Sequence, residues 1–159
     1  MKLNLGCCDD TWQGWVNVDI APVNDLVVKA DLSRPWPWAD STVDEIYAAD
    51  IFEHLPDRIH TMNEAHRVLK PGGVLRIECP DASKGSGQWQ DPTHVSAWTP
   101  NQLQYFEDGS PAHRRFSRAY GIKARFRVME LTERKYTDLA GGMLRCEVWK
   151  FSAVLEAVK

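Results

Sequence analysis

Apolar positions along the chain change their period several times, and each change marks an element. Residues 2–5 (KLNL) carry the short apolar beat of a buried strand. Gly6 follows at once, where a tight turn lets a ligand approach the peptide groups. Residues 15–20 form a second strand, with Asp19 at its carboxyl end, and residues 26–30 a third, ending at Asp31 and Leu32. The next loop, SRPWPWADST, is broken by Pro35 and Pro37 and holds no regular helix. Residues 43–49 form a fourth strand, in which DEIYAA alternates exposed with buried. Beyond Asp50 the spacing turns helical: Ile59, Met62, Ala65, His66 and Leu69 share one face of a helix over residues 56–69. Lys70-Pro71-Gly72-Gly73 ends that helix, and residues 74–79 form a fifth strand.

The remainder reads differently. Residues 81–121 are irregular, with one short helix capped by Thr99 and Pro100 and a second running from Ser110 and Pro111 to Gly121. So long a connection after a strand's carboxyl end is expected to be a lid or acceptor-binding segment. Residues 126–135 and 144–158 form two long strands, joined through Gly141-Gly142 as an antiparallel hairpin. Strands alternating with crossovers predict an α/β fold: a mostly parallel, seven-stranded sheet closed by the hairpin. Two crossovers show no helix pattern, so the domain is helix-poor and one face thinly covered.

Composition narrows the class. A chain of 159 residues, 43% of them apolar, supports one domain with one core. No run is apolar and long enough to cross a membrane, and no signal peptide is visible, so a cytoplasmic location is expected. The four cysteines have no C-x-x-C spacing, which argues for a reducing compartment and assigns no metal site. The net charge of −3 hides a basic run, Arg114, Arg115, Arg118, Lys123, Arg125 and Arg127, with no acid among them. A solvated face and an anion-binding rim both account for it.

The chemistry concentrates at the first two strands. A glycine turn after one strand and an acid after the next form the skeleton of a nucleoside site, because a carboxylate can accept both ribose hydroxyls. The stretch lacks G-x-G-x-x-G before a helix, so a nucleoside without a pyrophosphate is favoured. An ordinary strand and turn is the plain alternative.

Four stretches in this order resemble the class I S-adenosylmethionine-dependent methyltransferases of Rossmann-like fold, in their small bacterial and phage forms. They are LNLGC with GWVNVDI, ADLSRPWPWADSTVDEIYAADIFEHLP, HRVLKPGGVLRIECPD and DPTHVSAWTPNQLQYF, together about two thirds of the chain. The resemblance implies S-adenosylmethionine as cofactor and S-adenosylhomocysteine as product. It implies Asn4, Gly6 and Cys7 at the methionine part, Asp19 at the ribose, and Asp31 and Leu32 at the adenine. Ala49 and Asp50 then lie beside the sulfonium, and His94 over the acceptor. Two positions depart from the family: Asn4 stands where many members have an acid, and Cys8 where a second glycine is usual.

An acceptor hydroxyl or amine must lose a proton, and His94 is the first candidate to take it, Asp50 the second. A loop histidine bonded to Asp91 is the plain reading of His94. No N-P-P-F or D-P-P-Y stretch points to base methylation, so a nucleic-acid acceptor is disfavoured. The leading expectation is methyl transfer to a small-molecule or sugar-like acceptor. Two rivals stay open: a macromolecular acceptor docked at residues 114–127, and a binding protein without turnover. Aromatic residues in 81–121 (Trp89, Trp98, Tyr105 and Phe106) also suit a homodimer interface.

Overall fold

The computed structural model describes residues 1–85, 87–136 and 148–159. Its strands are β1 (Lys2–Leu5), β2 (Val16–Asp19), β3 (Val27–Lys29), β4 (Val43–Ala49), β5 (Leu69–Pro80), β6 (Phe126–Tyr136) and β7 (Val148–Ala157). Two α-helices, α1 (Arg58–Val68) and α2 (Pro111–Tyr120), accompany them. One sheet runs in the order β3-β2-β1-β4-β5-β7-β6. The first five strands are mutually parallel, and β7 lies antiparallel to both β5 and β6. The turn expected at Gly141-Gly142 and the start of the last strand fall outside the described residues.

Sheet register stacks the apolar positions of β1. Leu3 pairs with Val16 on one side and Ile46 on the other, and Leu5 with Val18 and Ala48. All of these but Val16 are buried, and Met62, Ala65 and Val68 of α1 join the same core. The larger of these side chains each contribute roughly 1.5–3 kcal/mol by leaving water. Where a crossover helix is missing between β1 and β2, a buried asparagine pair holds the loop. Asn4 Nδ2 donates to Asn17 Oδ1 at 3.2 Å and to the Asp10 carbonyl at 2.8 Å. Asn17 Oδ1 also accepts from the Trp12 amide at 2.8 Å, and the Trp12 ring packs on Tyr47 of β4, 4.6 Å between centroids.

Several boundaries differ from the sequence expectation. The helix begins at Arg58, because Asp57 caps it by accepting from His60 N at 2.9 Å. It ends at Val68, before the Lys70-Pro71-Gly72-Gly73 stop. Leu69 is already extended and pairs with Val43, and an irregularity in the β4–β5 register absorbs the Pro-Gly-Gly stretch inside β5. The helix expected after Thr99 is a single 3-10 segment, Pro100–Tyr105, closed by a capping box between Thr99 and Gln102. The helix after Ser110 forms as expected and stops at Gly121 in the left-handed conformation.

Residues 81–121 are knitted to the sheet. Asp81 and Trp98 form a bridge, and the Trp98 indole, fully buried, donates to the Phe52 carbonyl at 3.0 Å. The amides of Val95 and Ser96 both donate to the Glu53 carbonyl at 2.9 Å.

Candidate active site

The carboxyl ends of β1 to β4 share one edge, and the strand order reverses between β1 and β4. Open α/β sheets bind ligands at such a switch point. A cavity of ≈ 380 Å³ opens there, with Gly6, Asp19, Leu32, Ile51, His54 and Val95 in its mostly apolar lining. Gly6 is required by space as well as by its φ of +65°: a Cβ there would lie 2.7 Å from the Ile51 Cβ.

Cys8, at the second-glycine position, nevertheless adopts a glycine-like φ of +49°. The loop therefore still turns, and the Cys8 amide donates to Asp19 Oδ2 at 3.0 Å. The Ala21 amide donates to Asp19 Oδ1 at 2.9 Å. Each carboxylate oxygen then keeps accepting capacity for one further donor, and Asp19 lines the cavity. This is the acceptor set a ribose diol needs, so the residues present fit an adenosine. Asp31 also lines the cavity, but its Oδ1 accepts from the Ser33 hydroxyl at 2.6 Å and the Ser33 amide at 3.0 Å. These bonds hold its carboxyl below the usual range. Leu32 beside it is buried and apolar.

The remaining expected residues stand further off. Asn4 is buried under the loop and holds it, as described above. Cys7 is buried, and burial, then the Asp19 charge, raises its thiol pKa. Ala49 ends β4. Asp50 follows with φ +51° and pairs with Lys150. None of these four lines the cavity, whereas Gly6, Asp19, Asp31 and Leu32 converge on it.

His94 lies one layer behind the cavity wall. Its ring meets His54 edge-on, 4.7 Å between centroids, and Nδ1 donates to the Gln88 carbonyl at 2.5 Å. Its Nε2 lies 3.9 Å from Glu53 Oε1 and 3.9 Å from Asp91 Oδ2. Glu53 is fully buried, and desolvation, reinforced by the Asp50 charge, pushes its pKa up to about 7. Sequence reasoning placed none of Ile51, Glu53, His54 and Val95 in the site. The pair Glu53-His54 in a 3-10 turn (Phe52–His54) carried a signal only in its adjacency.

Residues 10–77 match the family model described as a methyltransferase domain. The chain is 34% identical over 64 residues to 27-O-demethylrifamycin SV methyltransferase of Amycolatopsis mediterranei, 34% of this chain and 24% of that one. It is 49% identical over 41 residues to methyltransferase GfsG of Streptomyces halstedii, 26% of this chain and 15% of that one. The matched stretches thus span less than a quarter of those relatives' lengths. In fold, the chain resembles a SAM-dependent methyltransferase of Methanosarcina mazei with a TM-score of 0.64 at 15% identity, over 99% of this chain and 92% of that one. Among the described residues, no helix is long and apolar enough to cross a membrane.

Proposed function

We propose that the chain carries a class I S-adenosylmethionine-dependent methyltransferase domain and methylates a hydroxyl or amine of a small or sugar-like molecule. The observation that carries this reading is Asp19, at the end of β2, with spare accepting capacity on both oxygens beside a cavity of ≈ 380 Å³. That volume is in the ordinary range for a small-molecule site. The cofactor, when bound, supplies a methyl group already attached to a positively charged sulfur. The chain's own residues bind it, orient the acceptor and keep water out. Gly6 and Asp19 hold its methionine and ribose parts, with Asn4 and Cys7 shaping the loop. Asp31 and Leu32 border the adenine, and Ala49 and Asp50 flank the sulfur.

In the transfer, an acceptor lone pair forms the new bond to the methyl carbon, and the carbon–sulfur pair stays on sulfur. A hydroxyl acceptor also loses its proton, and we assign that loss to the cluster of His94, His54 and Glu53. The small-molecule acceptor is favoured by the Amycolatopsis relative, whose name gives a demethylrifamycin as its substrate. Against a polyanionic partner, the basic run is partly neutralised within the chain. Arg125 pairs with Asp108 at 2.9 Å and Arg127 with Glu156 at 2.8 Å. The free thiols of Cys7, Cys8 and Cys79 suit a reducing, cytoplasmic setting.

Calorimetry with S-adenosylhomocysteine tests the site, and its release from S-adenosylmethionine over a small-molecule acceptor library tests the activity. Charge-assisted hydrogen bonds are worth about 1.5–3 kcal/mol, so Asp19→Ala should weaken S-adenosylhomocysteine roughly 10- to 100-fold, and Asp19→Asn less. Unchanged affinity in both variants would sink the assignment. Tight binding with no release over any acceptor would favour a protein that binds without turnover.

A further inference from the structure

Behind the cofactor cavity stands a group that binding a nucleoside leaves unexplained. Glu53 is fully buried, and neither of its carboxylate oxygens has a hydrogen-bond partner. A buried acceptor in that state destabilises the fold, and more so when charged. Two imidazoles face it: one ligand atom from each of Glu53, His54 and His94 lies within 4.8 Å of the other two.

Both rings are prepared alike. The Thr93 hydroxyl gives its hydrogen to Asp91 Oδ1 at 2.6 Å, so its oxygen accepts from His54 Nδ1 at 3.1 Å. The Gln88 carbonyl accepts from His94 Nδ1 at 2.5 Å. Each ring is left with its lone pair on Nε2. Metal-binding histidines characteristically have the other ring N–H tied to an oxygen in this way. The separation of 3.9 Å between His94 Nε2 and Glu53 Oε1 is too long for a hydrogen bond and leaves a gap between two lone pairs.

We infer that Glu53, His54 and His94 bind a single divalent transition-metal cation, of which Zn²⁺ and Mn²⁺ are the simplest examples. Two imidazoles and one carboxylate suit such ions and leave coordination positions open. The centre of a triangle with 4.8 Å sides lies about 2.8 Å from each corner. Metal–ligand bonds are about 2.0–2.2 Å, so the side chains need to close by less than about 1 Å. The backbone holds them in register, since the Val95 and Ser96 amides both bond to the Glu53 carbonyl. Asp91 Oδ2, 3.9 Å from the same His94 nitrogen, stands as an outer carboxylate.

His54 also lines the cofactor cavity, so the cluster reaches the cavity wall through that ring. What the ion does there rests on the methyltransferase reading; that it binds does not. An ion holding an acceptor oxygen lowers its pKa, and the hydroxyl proton passes to solvent. With their Nε2 lone pairs on the ion, His54 and His94 would hold it in place and would not themselves take the proton.

The test uses the full, tag-free chain, stripped with EDTA and dialysed, with Zn²⁺ and Mn²⁺ titrated by calorimetry. One ion per chain is expected. Glu53→Gln and His54→Ala should each weaken it at least about tenfold. His60→Ala, whose ring sits on the Arg34 carbonyl, should not. No binding of either ion to the unmodified chain, or equal affinity in the Glu53 and His54 variants, overturns the inference. Glu53 lies in the core, so a misfolded variant is recognised by its circular dichroism and urea midpoint, and His54→Ala then decides. S-adenosylhomocysteine binding in EDTA separates the two readings: if it fails while the metal binds, the cofactor site is wrong and the cation site stands.

Discussion

Cys8 shows how one residue can hold a loop in a shape made for another. Its φ of +49° is a conformation that L side chains enter at about 1–2 kcal/mol, whereas glycine enters it freely. The side chain is exposed, so little packing offsets that strain. Glycine gives back part of the gain through its larger unfolded-state entropy. Cys8→Gly should therefore raise stability by up to about 1 kcal/mol, and Cys8→Val should lower it, since branched side chains tolerate positive φ least. Urea midpoints measured under reducing conditions check both; a lower midpoint for Cys8→Gly would mean the thiol has a role in the loop. At this same scale, part of the candidate cavity's lining was legible from the chain. Gly6, Asp19, Asp31 and Leu32 follow a strand end, and the edge of an open sheet gathers strand ends whatever the loops do. Glu53 and His54 were not legible, because their meaning depends on His94, forty residues downstream. No local period reports a contact made by the Val95 and Ser96 amides.

Among the elements, α1 carries a titration that reaches the sheet. His66, in its last turn, lies edge-on to Phe126 of β6 at 5.4 Å, and its Nε2 donates to the Val158 carbonyl at 2.9 Å. Burial lowers its pKa below the ordinary value; the Val158 carbonyl opposes this, and Lys159 and Arg125 add to it. With the folded pKa below the unfolded one, the unfolded chain takes up the proton first as pH falls. The stabilisation is complete above about pH 6.5 and is lost as the pH drops toward the folded value. His66→Gln keeps a donor for Val158 and removes the titration. Its urea midpoint should fall less between about pH 7.5 and about pH 5.5 than the unmodified chain's does. Equal falls would mean that other groups carry the acid sensitivity. Elements were also where boundaries slipped. Asp57 and Leu69 set the ends of α1 through a cap and a strand pairing, and the Pro-Gly-Gly stretch that reads as a stop was absorbed within β5. The succession of strands and α1 came through because their apolar periods are imposed by the core itself, whereas α2, which buries no residue, was marked by Ser110-Pro111 and Gly121.

At the scale of the whole molecule, the issue is what covers the sulfur when the acceptor is bound. A site open to bulk water weakens both positioning and local electrostatics. Residues 81–121 cannot swing as one lid, because Trp98, Leu103 and Phe106 are buried in the core and Asp108 N donates to the Phe126 carbonyl at 2.7 Å. The part free to respond is shorter. Val95 lines the cavity yet is exposed, Trp89 is exposed, and the Lys84 side chain is held at the surface, by Glu133 and the Trp149 ring. We therefore expect closure to be a local tightening around residues 82–85 and the exposed side chains of Trp89 and Val95, since Gln88 is buried and the Val95 amide is held by the Glu53 carbonyl. Trypsin reads this directly, since it cleaves after Lys84 within that stretch and after Arg114 and Arg115 on α2 outside it. S-adenosylhomocysteine should slow cleavage at Lys84 several-fold, on the order of the ligand-induced stabilisation at saturation, and leave the α2 sites unchanged. Equal slowing at all three would indicate general tightening of the fold rather than a lid. Unchanged rates with a dimeric mass by light scattering at micromolar concentration would instead give the cover to a second copy of the chain, bringing the exposed Trp89 into a subunit contact.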